Sequence, residues 1–324
     1  MIRFLSSSAA MMSLSLVCAF LTNYLEIFPE AQLPPSLRSI LTVGGLAMML
    51  TLSLSRIPGR NLSPMEQPKA LIRGLLMGLL IPAVIPILGY LFLKHTAYAT
   101  YATGLVFIAA TPFAASVAPL SFILRGDLVH AARSTIYVYL VALFWIPLVV
   151  YVFLGTLVDI GQLVKIVLVI IGLPLVLSRF LTRVSIPPTG MAILLNVTIF
   201  FLVWLSVSTA DFRSAGGGIV LFFLLIVVLR TFGLGLVVDA LDRKIGVGWG
   251  QRVTDILMTS YKNKGMAIAL CVSVMGPLVP HAMVAIATSI VMEVCWVIYM
   301  DSVLFSRQRM AVALAREGSG LGST

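Results

Sequence analysis

The sequence predicts an all-α membrane protein of ten transmembrane helices, arranged as two inverted five-helix repeats, with helices 4 and 9 broken where they cross. Three observations lead there. Apolar residues make up 60% of the 324 and charged residues only 10%, against about 25% charged in an average soluble domain. So few charges do not cover a water-exposed surface of this size, whereas in a bilayer the apolar side chains face acyl chains. Ten apolar segments are each close to the ~20 helical residues needed to span ~30 Å of hydrocarbon. Finally, the basic residues collect in alternate connections between those segments, as they do in membrane proteins.

The first segment, 10–28, follows Arg3 and resembles a signal peptide. Nine further segments follow it, so a retained helix is the better reading. The second, 37–55, lies between Pro34-Pro35 and Pro58-Gly59, turn formers that bound a helix. In the third, 71–93, Gly74 and Gly78 have small-xxx-small spacing, read as internal packing rather than a dimer contact. The fourth, 100–124, carries Thr111-Pro112-Phe113-Ala114-Ala115-Ser116-Val117-Ala118-Pro119, where two prolines interrupt the rod near mid-membrane. The fifth and sixth are 129–154 and 160–181, and the seventh, 189–208, starts after Pro187-Pro188. After the eighth, 215–238, the ninth, 250–275, is interrupted by the polar run Ser260-Tyr261-Lys262-Asn263-Lys264-Gly265. The tenth, 281–304, follows the turn from Pro277 to Pro280. Residues 1–309 are thus expected to form one membrane domain, with repeats at 10–154 and 160–304, and 310–324 a disordered cytoplasmic tail.

An odd number of crossings per half inserts the second half upside down, and paired broken helices point to a binding site, because unwound backbone must line a cavity. Fourteen Lys and Arg residues fall on the N-terminal side of such a ten-span chain and four on the other. Both termini are therefore expected in the cytoplasm of a cell-membrane protein, inner or plasma, as an even number of spans also requires. The net charge of +10 is scattered between apolar runs, which fits topology and not nucleic-acid binding.

Four cations remain at membrane depth, Arg133, Arg230, Lys262 and Lys264, opposed by Asp255 and Glu293. Each costs ~2.5–3.5 kcal/mol at the bilayer centre on the insertion scale, so they must pair or line a polar cavity. Depth pairs Glu293 with one of the lysines and Arg230 with Asp255. The two surplus positive charges suit an anionic ligand. Arg133 lies close enough to a helix end to snorkel, and Asn196 is placed to hydrogen-bond a neighbouring helix. There is no His-x-x-x-His, no Gly-x-Ser-x-Gly and no expectation of two carboxylates within reach, so neither an enzyme nor a cofactor is expected. Cys18, Cys271 and Cys295 offer no disulfide framework or metal spacing.

Two short stretches carry a family resemblance. Phe122-Ile123-Leu124-Arg125-Gly126-Asp127 resembles the aromatic-Leu-Ala-Arg-Gly-Asn/Asp segment of the bile acid:sodium symporter superfamily. Asn263-Lys264-Gly265-Met266-Ala267-Ile268-Ala269-Leu270 resembles that superfamily's Gln-Asn-Ser-Gly-Leu-Ala-x-Ala-Leu segment. The resemblance implies a panel of helices 1, 2, 6 and 7 beside a core of helices 3–5 and 8–10, with substrate bound between them. It also implies sodium ligands at a Ser-Asn, a Ser-x-x-x-Thr, a Glu-x-x-x-Gln and a third-helix Gln. Here the matching positions are Val117 and Ala118, with Ser116 adjacent; Ala131 and Thr135; Met258 and Lys262; and Met77 or Ile81.

Replacing the carboxylate by a thioether removes the anion that offsets sodium, and an ammonium at the next ligand repels it. Two unit charges ~4 Å apart at an effective dielectric of ~20 repel by about 4 kcal/mol. The expectation is a carrier of a small organic anion whose sodium sites are lost, with Lys262 or Lys264 as a tethered cation. Those lysines are either static struts or proton-coupling groups. The alternatives are a sodium-dependent symporter of the same family and a non-transporting sensor or channel. Nothing in the sequence sets the oligomeric state.

Overall fold

The computed structural model describes residues 5, 8–27, 34–55, 57, 68–182 and 187–320. Among these the architecture is all-helical, with a single isolated β-bridge. Helices α1 (Ser8–Leu25) and α2 (Pro35–Ser55) are followed by α3 (Pro68–Leu93), α4 (Ala99–Ala110) and α5 (Val117–Ile123). Next come α6 (Leu128–Leu154), α7 (Ile160–Leu181), α8 (Pro188–Val207) and α9 (Phe212–Lys244). The chain finishes with α10 (Trp249–Ser260), α11 (Lys264–Val274), α12 (Gly276–Leu304) and α13 (Arg307–Gly320). Seven of them, α2, α3, α6, α7, α8, α9 and α12, are long and apolar enough to cross a membrane. Helices α1, α4 and α11 are shorter apolar helices.

Local sequence explains the irregular turns. In α3 and α7, widened π-turns at Leu76–Leu80 and Leu168–Gly172 precede Pro82 and Pro174. A proline has no N–H and its ring crowds the carbonyl four residues back, and a wider turn relieves both. Helix α1 packs on α8, α2 on α7 and α8, and α4 on α3, α6 and α12. The outer faces are apolar too: Phe144 and Phe180 are 78% and 71% exposed, which suits lipid and not water.

Close helix approach depends on missing side chains. A Cβ on Gly78 would lie 2.7 Å from the Phe113 ring, and one on Gly74 would lie 2.6 Å from the Ser134 hydroxyl. The Gly74–Gly78 face is therefore spent on internal packing, as the spacing predicts.

The chain end differs from its expectation. Residues 307–320 form a helix where a disordered tail is predicted from 310, and 321–324 lie outside the described residues. The run Met310-Ala311-Val312-Ala313-Leu314-Ala315 is made mostly of strong helix formers. Met310 and Ala313 pack against the cluster that holds Trp249 and Phe305, which gives the helix a seat.

Candidate functional site

Two interruptions build the site. Helix α4 stops at Ala110 because Pro112 holds its predecessor extended: Thr111 sits at φ −75° and ψ 147°. Helix α10 stops at Ser260, and Tyr261 and Asn263 leave the helical region. The Asn263 side chain then starts α11 by accepting the Met266 N–H at 3.0 Å, a standard cap. The two gaps meet. Ala114 N–H donates to Tyr261 O and Asn263 N–H to Pro112 O, both at 2.9 Å, an antiparallel bridge centred on Phe113 and Lys262.

Backbone groups freed by such breaks need partners inside a membrane. Lys262 Nζ donates to the carbonyl of Thr111 and, at 3.4 Å, to that of Ala109, at the negative end of α4. The Lys262 N–H donates to Glu293 Oε1 at 3.1 Å. Arg230 Nη1 donates to the Ser260 carbonyl at 3.3 Å, and the Trp296 indole donates to the Ser260 hydroxyl at 2.8 Å. Tyr139 donates to Phe113 O at 3.0 Å and accepts from Asn263 Nδ2 at 2.8 Å.

Glu293 is the hub. Its Oε1 lies 3.2 Å from Lys264 Nζ and 3.1 Å from Arg230 Nη2. One carboxylate, 1% exposed, thus serves two side-chain cations, with the Lys262 ammonium a third nearby on the carbonyls of α4. The predicted pairing of Glu293 with a lysine is present. The predicted pairing of Arg230 with Asp255 is not: α9 packs on α12 here, which brings Arg230 to Glu293. Asp255 is held instead by Arg73 at 2.6 Å, which also reaches Asp242 at 2.7 Å. These two carboxylates on one guanidinium correct the expectation that no two come within reach.

Beside the crossing lies a cavity of about 270 Å³. Met12 of α1, Met49 and Ser53 of α2, and Asn196 and Ile199 of α8 form one wall. The facing wall holds Ser116, Tyr261, Lys262, Asn263, Lys264 and Glu293. Five predicted site residues therefore line it: Ser116, Lys262, Asn263, Lys264 and Glu293. Ala118, Thr135, Met258, Ser260, Arg230 and Asp255 do not. The side chain of Pro119 lies outside the described ones. Asn196 also donates to the Leu5 carbonyl at 2.9 Å, ahead of α1.

Four of the positions aligned with sodium ligands fall together in one buried apolar cluster. Val117, Ala118, Ala131 and Met258 all belong to it, alongside Phe113. The Thr135 hydroxyl donates to Ala131 O of its own helix at 2.8 Å. Sequence reasoning missed Tyr139, Trp296, Arg73 and Asp242. Tyr139 had a readable signal, since it follows Ala131 and Thr135 at four-residue intervals and so shares their helix face. Arg73 had none, because near a helix start it counts as an interfacial cation.

Compared with known families, residues 39–215 match the Sodium Bile acid symporter family. The matched stretch begins in α2, contains the α4–α5 break and ends at the start of α9. No curated protein matches the chain. The match covers more than half of the sequence, so this multi-pass membrane protein belongs to the sodium bile acid symporter family.

Proposed function

We propose that the chain is a secondary carrier of a small organic anion, working by alternating access without sodium. One observation carries this reading: a carboxylate shared by buried cations stands in the wall of a small, mostly apolar cavity at the crossing. Lys264 receives the anionic group of the substrate, and the apolar wall receives its body. A volume of about 270 Å³ falls below the ~300–1,000 Å³ of drug-sized sites, which favours a small substrate. Lys262 takes the place of a mobile cation at the break. The apolar cluster around Met258 supports the loss of sodium binding, because a hard cation needs oxygen ligands.

In this reading α4–α5 and α10–α11 each make one crossing, giving ten in two inverted repeats. Helices α1, α2, α7 and α8 form the panel, and the remaining crossings form the core. Both termini are cytoplasmic, and the location is the cell membrane, as the distribution of Lys and Arg supports.

A thermal-shift screen of organic anions on the purified protein identifies a ligand, since binding raises apparent stability. Uptake of that ligand into vesicles is then measured with imposed sodium and pH gradients. Saturable uptake with counterflow and no need for sodium is expected. Uptake that requires sodium overturns the substitution of Lys262, and flux without saturation or counterflow makes the protein a channel.

A further inference from the structure

Between α3 and α9, away from the cavity at the crossing, runs an open groove of about 910 Å³. Ile72, Leu76 and Ile81 line it from α3, and Leu241 and Ile245 from α9. Four of these five are exposed, Ile245 by 68% and Ile72 by 58%, on helices long and apolar enough to cross a membrane. Exposed apolar walls of this kind suit an acyl chain and not water. The stretch from Ile72 to Ile81 rises ~13.5 Å at ~1.5 Å per helical residue. That is close to the ~15 Å depth of one leaflet in a hydrocarbon core of ~30 Å.

One end of the groove is polar, where Lys69, Arg73 and Gln251 line it. Lys69, in the first turn of α3, is exposed, and no described residue pairs with it. Arg73 gives Nε and Nη2 to Asp255 and Asp242, which leaves Nη1 without a partner among the described residues. Its side chain is 24% exposed. The guanidinium charges beneath are balanced, because Arg73, Arg243 and Arg252 are matched by Asp239, Asp242 and Asp255. The Lys69 ammonium is therefore in surplus, as is that of Lys244, exposed one residue before Ile245.

Among the described residues, Asp242 is the only carboxylate lining the groove, and its side chain is 3% exposed and holds Arg73. A phosphate diester at this end meets an ammonium, free guanidinium N–H groups and a carboxamide, which make charge-assisted hydrogen bonds. The cationic end of a zwitterionic headgroup meets no exposed carboxylate there.

We propose that this groove docks one anionic phospholipid, with an acyl chain between α3 and α9 and the phosphate at Lys69, Arg73 and Gln251. Lipid bound in this way ties the start of α10 to the start of α3. The inference rests on the chain lying in a bilayer and not on the transport reading, so it is tested without a substrate.

The purified full chain is delipidated in a neutral detergent, and its thermal midpoint is followed as lipid is added to the micelles. Phosphatidylglycerol is compared with phosphatidylcholine of the same acyl chains and with glycerol 3-phosphate, which has the phosphate without the tails. A ligand held by the folded state alone raises the midpoint. Phosphatidylglycerol is expected to raise it by several degrees more than phosphatidylcholine, and glycerol 3-phosphate not at all. Lys69→Gln should lose at least half of that difference. Lys94→Gln, which removes an exposed cation from the other end of α3, should keep it. Gln251→Ala is a second variant of the polar end, judged on the same criterion as Lys69→Gln. Equal shifts from the two lipids, an undiminished shift in Lys69→Gln, or an equal loss in Lys94→Gln overturns the proposal. So does a shift from glycerol 3-phosphate alone, which marks a site for a soluble anion. A dimer that persists without lipid, with no lipid dependence of the midpoint, seats a second copy in the groove and overturns it too.

Discussion

Lys262 and Lys264 are two residues apart and carry the same charge, yet they face different partners. The Lys262 ammonium binds carbonyls at the end of α4, whereas the Lys264 ammonium lies by Glu293 at the cavity wall. Lys262→Met strips donors from buried carbonyls and is expected to lower the thermal midpoint strongly, since each unsatisfied buried group costs about 1–3 kcal/mol. Lys264→Met should keep more of that midpoint while abolishing the ligand-induced shift and uptake, an assignment that equal loss of stability in both variants would refute. Glu293→Gln leaves buried cations without their carboxylate, and removing one partner of a buried pair costs about 3–5 kcal/mol. Denaturation of that variant checks the figure. The two lysines and Glu293 were legible because an ionisable residue in an apolar run stands out by itself. The partners of Arg230 and Asp255 were not, because depth along a helix is readable from sequence and its rotation toward a neighbour is not.

Each break is written in local chemistry. Pro112 and the polar run from Ser260 to Gly265 mark where α4 and α10 end, and both endings fall where those residues stand. Packing between elements is less visible. A Cβ on Gly104 would collide with the Ala282 carbonyl of α12 and lie 3.0 Å from the Ala285 Cβ. The carbonyl is backbone and cannot rotate aside, so Gly104→Ala must part α4 from α12, at a cost of at least the ~1–3 kcal/mol typical of overpacking. Gly78→Ala meets a ring edge instead, and Phe113 can yield only by disturbing the bridge it belongs to. Both variants should unfold earlier on heating, with Gly104→Ala the more severe. The glycine pair in α3 had recognisable spacing, whereas Gly104 is a lone glycine whose partner lies 178 residues later. The terminal helix α13 went unread for a related reason: its glycine-serine ending suggests disorder, while its seat beside Trp249 is a tertiary contact.

For the molecule as a whole, composition identified the membrane class because the share of charged residues reports the solvent directly. The cluster of Arg73, Asp242 and Asp255 escaped notice because its bonds join residues 169 and 182 positions apart. The proposed ten crossings would place Lys94 and Lys244, both exposed at helix ends, on opposite faces of the bilayer. In a background with Cys18, Cys271 and Cys295 replaced by alanine, cysteines at those two positions should react with an impermeant reagent from opposite sides. Reaction of both from one side would refute the ten-crossing topology. The Lys262 contacts with Thr111 and Ala109 carry a consequence for handling the protein. A positive group bonded covalently to the main chain cannot be dialysed away, so the melting profile should be the same in choline chloride as in sodium chloride. If Lys262 replaces a mobile cation as proposed, the junction carries its positive group from the ribosome, and a midpoint that rises with sodium would refute that replacement.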